Sequence, residues 1–314
     1  MVKISYDSVN FFRFCHRRYD SIEDPVNQER LFADLNYRLS NRFDIHLDVA
    51  KCMQYMSTHG STYGSAYMAI QTTLFQSPGT SILGDKETMA WTKIPSFLEM
   101  CPSGKALIIL RDPRDVINSF RLRSIAPGSD YLISLFDCVD CINHALRFTH
   151  LYPDRVYMVQ FEKLKHNPSL ELQAICEFLG IDYLPHMLDG SSYKDHQGKP
   201  WDAAAHLTDP TNTNPLSVIG RWQHQLPEED LFLTEWIAER QLRQLGYGPS
   251  GRTFSQNTFD HALSKVTSSS LLRSSFKKWV QTGEGVELFP LDPTIPANWD
   301  PNWNKNPSSF TSNS

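Results

Sequence analysis

Arg111 and Ser119 stand eight residues apart, where the wholly apolar run Ala106–Leu110 gives way to Arg111-Asp112-Pro113-Arg114-Asp115 and then to helical spacing through Phe120. A planar guanidinium with five N–H donors can grip a phosphate through two parallel hydrogen bonds, and a hydroxyl can add another. Three further sets of polar or aromatic residues sit beside apolar runs or glycine turns. Lys86 closes Ser81-Ile82-Leu83-Gly84-Asp85-Lys86, Phe161 follows Val156-Tyr157-Met158-Val159-Gln160, and Gly220-Arg221-Trp222 follows Ser217-Val218-Ile219.

The elements that must position these residues are legible from periodicity. An apolar run of about four to eight residues bounded by turn residues reads as a strand covered on both faces, so Ala106–Leu110 is a strand with Arg111 at its carboxyl end. Asp112 is placed to cap the following helix and Pro113 to sit in its first turn. In open α/β sheets that rim is where ligands bind. Ile82–Lys86 reads as a shorter strand followed by an amphipathic segment, Trp91–Met100. Arg155–Leu164 reads as another strand, and a helix from Ser169 to Leu179 is closed by Gly180. Leu31, Leu35, Leu39 and Phe43 recur at helical spacing within residues 26–57. Residues 183–216, rich in Gly, Pro, Asp, His and Thr, read as a long loop of the kind that acts as a lid.

Taken in order from about residue 60 to 248, these segments resemble the sulfotransferase superfamily, and the spelling Arg111-Asp112-Pro113-Arg114-Asp115-Val116-Ile117-Asn118-Ser119 is close to its bacterial branch. The resemblance implies an α/β fold of three layers, with a mainly parallel sheet flanked by helices, similar to P-loop nucleoside triphosphatases. It implies transfer of a sulfonate group from 3′-phosphoadenosine 5′-phosphosulfate (PAPS) to an acceptor hydroxyl or amine, with PAP released. Arg111 and Ser119 would then hold the 3′-phosphate, and Lys86 would face the sulfonate or the bridging oxygen, where a cation stabilises charge on the departing phosphate. Phe161 stands where the family usually carries Tyr. Its ring either packs on adenine or serves as an ordinary core aromatic. Gly220 would permit close backbone approach in a loop folded over the nucleotide, and Arg221 would supply charge. The bacterial character of the motifs favours a carbohydrate or glycan acceptor over a steroid or phenol.

Two departures from the family pattern stand out. The opening strand and Pro-x-Ser-Gly-Thr-Thr loop, whose backbone N–H groups hold the 5′-phosphosulfate, have no counterpart here. His59-Gly60-Ser61-Thr62-Tyr63-Gly64-Ser65 follows no apolar strand and reads as a helix cap instead. The segment Ser8–Phe14 is similar to the stretch after the family's first helix, so the resemblance implies a chain truncated at its N-terminus. Asp7 is the nearest candidate for the general base that deprotonates the acceptor, one position out of register with Ser8. The histidine base of the family's cytosolic branch would fall at Thr88.

Composition restricts the remaining possibilities. The 314 residues carry a net charge of −5, which argues against a broad nucleic-acid-binding surface. No run approaches the roughly twenty apolar residues of a membrane span. Six scattered cysteines suit reduced thiols and a cytoplasmic setting. Cys138 and Cys141 fall in a helical pattern with no second pair, and no His spacing marks a metal site. Residues 1–250 read as the sulfotransferase domain, with 26–57 as a helical insertion near the acceptor. Residues 251–314 read as a C-terminal extension with a disordered end. Two rival readings remain open: a PAP-binding module that has lost transfer, and a nucleotide kinase on a related fold.

Overall fold

The computed structural model describes residues 2–6, 8–76, 79, 82–123, 128–190 and 216–286. The chain divides into two compact units, the first ending at Ser103 and the second starting at Gly104. Each holds one pair of parallel strands with helices in the crossover between them, the arrangement that parallel pairing demands.

In the first unit, β1 (Val2–Tyr6) pairs with β2 (Ile82–Lys86), Val2 opposite Ile82 and Tyr6 opposite Lys86. The crossover contains α1 (Phe11–Phe14), α2 (Pro25–Phe43), α3 (Val49–His59) and α4 (Tyr63–Phe75), and α5 (Ile94–Met100) follows β2. The stripe expected within 26–57 is buried, with Leu31, Leu35 and Leu39 at most 2% exposed beside Cys52, Met56 and Ile70. Burying each such leucine is worth about 2 kcal/mol. Side-chain oxygens start the helices: Asp24 accepts from Val26 N, Asp48 from Lys51 N and Thr62 from Ser65 N. The Gly-Ser tract at 59–65 is therefore a cap, as its lack of a preceding strand implied. Gly64 also has a packing reason, since a Cβ there would come within 2.8 Å of the Met100 carbonyl oxygen.

In the second unit, β3 (Ala106–Leu110) pairs with β4 (Val156–Gln160), Ala106 opposite Val156 and Leu110 opposite Gln160. The crossover is α6 (Pro113–Arg123) and α7 (Ile133–Leu151). After β4 come α8 (Phe161–His166), α9 (Pro168–Leu179), α10 (Trp222–Gln225), α11 (Glu228–Ile237), α12 (Glu239–Gln244), α13 (Gln256–Ser268) and α14 (Ser270–Thr282). Gly180 ends α9 in the left-handed region at φ 74°.

Three expectations change. The strand read as Arg155–Leu164 stops at Gln160, because Phe161 opens a helix whose first turn carries Glu162. The strand at 106–110 is not covered on both faces: Ile108 and Leu110 are buried, whereas Leu107 and Ile109 are 40% and 62% exposed. Nor does a boundary fall at 250. Ala262, Val266 and Leu272 lie in one core with Leu135, Phe136, Leu231 and Leu242, and Lys265 Nζ lies 2.7 Å from the fully buried Asp230. Helices α13 and α14 thus complete the core of the second unit.

Candidate functional site

Arg111 leaves the carboxyl end of β3 with 23% of its side chain exposed. Three neighbours orient it. Its Nη2 donates to the carbonyl oxygen of Val218, the same nitrogen lies 3.8 Å from Asp115 Oδ2, and the guanidinium sits 4.9 Å from the centre of the Phe161 ring. Its Nε is buried and, among the described residues, has no hydrogen-bond partner. An orphaned donor on an oriented guanidinium is what a phosphate oxygen would satisfy.

The local sequence explains why this turn is stiff. Asp112 Oδ1 accepts the Arg114 N–H at 2.9 Å, as the capping reading required, and both Asp112 oxygens bind the Arg114 guanidinium. Arg114 also donates to Glu235 and to the Gly248 carbonyl oxygen, and lies 3.9 Å from the Trp222 ring centre. At 3% exposure Arg114 is a strut, and Arg111 is the arginine of the pair that faces outward. Glu162 accepts from Asp112 N at 2.9 Å and from the Tyr247 hydroxyl, tying β3, β4 and the end of α12 together. A cavity of about 790 Å³ adjoins this turn, lined by Asp112, Arg114, Glu162, Gly220, Trp222 and Tyr247 among others.

The loop before α10 meets the same turn. Gly220 adopts φ 72°, which glycine tolerates without strain, and a Cβ there would meet only the Gln223 side chain at 3.8 Å. Its N–H is turned inward to Asp115. Arg221 Nε donates to the Ser217 carbonyl oxygen at 2.6 Å, so this guanidinium is partly held within its own loop. Ser119 is one helical turn beyond Asp115, on the same face of α6. The second unit therefore brings Arg111, Phe161 and the Gly220 loop together, with Ser119 on the adjoining helix face.

Lys86 belongs to the first unit, at the carboxyl end of β2. Strand alternation puts Asp85 and Lys86 on opposite faces of β2, and Glu87 and Thr88 follow the strand. Lys86 Nζ donates to Thr88 Oγ1 at 3.0 Å. Glu87 Oε1 accepts the Phe12 N–H at 3.1 Å and its carboxyl shares a hydrogen bond with Asp85. Burial, reinforced by the Asp85 charge, holds the Glu87 carboxyl well above the usual range. The proposed base, Asp7, lies outside the described residues, as does most of the loop read as a lid.

Residues that sequence reasoning passed over carry much of this order. Asp115 and Glu162 were visible as acidic neighbours of Arg111 and Phe161, but nothing local marks their partners at 220, 222 and 247. Cys138 and Cys141 lie on α7 as free thiols, and burial pushes the Cys138 thiol well up, away from nucleophilic use. Among the described residues, no group of three or more His, Cys, Asp or Glu is placed to hold a metal ion, and no helix is long and apolar enough to cross a membrane.

Comparison with known proteins bears directly on this arrangement. The protein-tyrosine sulfotransferase of Drosophila melanogaster is 26% identical over 162 residues, covering 48% of this chain and 32% of the fly protein, so the chain spans about a third of that relative's length. Among solved structures, a sulfotransferase domain from the curacin biosynthetic pathway aligns at 16% identity and TM-score 0.42, over 79% of this chain and 97% of its own. A sulfotransferase domain from the Synechococcus PCC 7002 olefin synthase aligns at 14% and 0.35, over 72% and 94%. The model of the sulfotransferase family matches residues 2–185, which takes in both parallel strand pairs, the Lys86 turn and the Arg111–Ser119 helix. With more than half of its length matched, and with parallel strands flanked by helices in the α/β arrangement, this chain belongs to the sulfotransferase family.

Proposed function

We propose that this chain transfers a sulfonate group from PAPS to an acceptor hydroxyl or amine, in a cytoplasmic setting, and releases PAP. The observation that carries the reading is the Arg111 guanidinium, oriented by Phe161, Val218 and Asp115 while its buried Nε lacks a partner among the described residues. That orphaned donor and the Ser119 hydroxyl on the adjoining helix face fit a phosphate better than an apolar ligand. PAPS, when bound, supplies a sulfonate on a good phosphate leaving group: the acceptor oxygen or nitrogen bonds to sulfur, the bridging S–O bond breaks, and its electron pair stays on the 5′-phosphate. The chain's residues contribute orientation and charge. Arg111 and Ser119 hold the 3′-phosphate, the Phe161 ring packs on adenine, Gly220 lets the loop approach the nucleotide, and Arg221 adds positive charge. Lys86 steadies the negative charge on the leaving oxygen, and Asp7 takes the acceptor proton.

A carbohydrate or glycan is the preferred acceptor. A tyrosine hydroxyl is the second reading, favoured by the name of the fly relative. Incubation with labelled PAPS and pooled glycans, metabolites and tyrosine peptides tests both, with label expected in the glycan pool. Calorimetry with PAP and with ATP–Mg²⁺ tests the donor site. PAP is expected to bind at least ~10-fold more tightly, about 1.4 kcal/mol. A preference for ATP–Mg²⁺ would mark a kinase, and PAP binding with no transfer to any acceptor would mark the binding module.

A further inference from the structure

The 217–222 loop is far from Arg111 in sequence, yet Arg111 and Asp115 both hold its backbone. Asp115 is 2% exposed. Its Oδ2 accepts the Gly220 N–H at 2.7 Å and its Oδ1 the Trp222 N–H at 3.1 Å. The same Oδ2 lies 3.8 Å from Arg111 Nη2, and that nitrogen donates to the Val218 carbonyl oxygen. One carboxylate and one guanidinium thus account for the N–H groups of two loop residues and a carbonyl of a third. The loop also bonds locally: Ile219 N donates to Leu216 O at 2.9 Å, Arg221 Nε to Ser217 O, and the Gly220 and Arg221 carbonyl oxygens accept from the N–H groups of Gln223, His224 and Gln225.

We infer that Asp115 is a positioning residue for the nucleotide's 3′-phosphate, clamping the 217–222 loop to the first turn of α6 so that the loop and Arg111 face one anion together. The inference rests on the reading of Arg111 and Ser119 as a 3′-phosphate site. Chemistry explains why a carboxylate suits the task. Two N–H groups need two acceptor oxygens, and an amide offers only one, turning an NH₂ toward the second donor. Asp115 also sits between the two cationic parts of the site. It holds the Arg111 fork on one side and fixes the backbone that carries Arg221 on the other. Removing it takes away the acceptors of two loop N–H groups and leaves Arg111 with Val218 and Phe161.

The test compares PAP with adenosine 5′-phosphate, which lacks the 3′-phosphate, by calorimetry on the whole chain and on Asp115→Asn. The variant is expected to lose ~10-fold or more in PAP affinity with less than ~2-fold change for adenosine 5′-phosphate. Amide exchange at Gly220 and Trp222 is expected to accelerate. A fold-only role would weaken both nucleotides equally, and that result overturns the inference, as does an unchanged PAP preference. If Asp115→Asn does not fold, Asp115→Glu, which keeps two oxygens but moves them by one methylene, is expected to lower the PAP preference by a smaller factor; an unchanged preference there is equally fatal. A parent chain that binds PAP no better than adenosine 5′-phosphate overturns the 3′-phosphate reading and this inference together. A parent that prefers PAP beside variants that do so equally overturns only the inference.

Discussion

The two strand ends manage charge in opposite ways. At the carboxyl ends of β3 and β4 three acidic side chains meet donors: Asp112 meets Arg114, Asp115 meets two backbone N–H groups, and Glu162 meets Asp112 N and the Tyr247 hydroxyl. After β2, the carboxyls of Asp85 and Glu87 face each other, and backbone N–H groups of the Phe11–Phe12 turn donate to Glu87. The first arrangement holds its charges at fixed positions and leaves a cation facing outward, as an anion site requires. In the second, burial and the neighbouring Asp85 charge hold the Glu87 carboxyl well above the usual range. An oriented, outward-facing guanidinium and a lysine next to a buried acidic pair are thus built on the same parallel-pair scaffold.

The comparison breaks most readily at Arg111. Arg111→Ala is expected to weaken PAP by ~10²–10³-fold, as the loss of a charged bidentate contact implies, with melting temperature nearly unchanged; calorimetry and a thermal scan check it. Lys86→Ala is expected to lower kcat by ~10²-fold while PAP affinity moves less than ~3-fold, because its charge matters as the leaving oxygen develops. Equal losses in both quantities would place Lys86 in ground-state binding. Ser119→Ala, removing one neutral donor, is expected to weaken PAP by ~3–10-fold.

The smallest effect sharpens the contrast itself. Glu87 keeps its proton to higher pH in the fold than in the unfolded chain, because burial and Asp85 disfavour its charge. Its contribution to stability is therefore complete below the ordinary carboxylate value and is lost as pH rises through the raised value. Glu87→Gln, neutral throughout, is expected to melt with the parent near about pH 4 and ~2–4 °C above it near about pH 9. Parallel melting profiles for the two proteins would remove the distinction between the strand ends.

Local chemistry was readable wherever it was carried by neighbours in sequence. The β3–α6 turn is one case: an apolar run, an Asp cap and a proline in the first turn lie within a few residues. Thr62 as a cap and Gly180 as a terminator are others. Strand β1 was missed although Val2, Ile4 and Tyr6 alternate with polar residues, since five residues at a chain end carry little pattern and their partner is eighty residues away. The boundary at 250 followed a change in composition, yet α13 and α14 pack on α11 through Lys265 and Asp230, a contact that no local pattern reveals.

The sequence by itself determined the chemical types at each strand end, the caps and the family, because these depend on side-chain identity and spacing over a few residues. Only the tertiary structure decided that Arg114 is buried and Arg111 faces outward, that Asp115 holds a loop 105 residues away, and that burial and the Asp85 charge raise the pKa of the Glu87 carboxyl. Such pairings arise when burial forces each polar group to find whichever partner folding brings near, and chain order does not specify that partner.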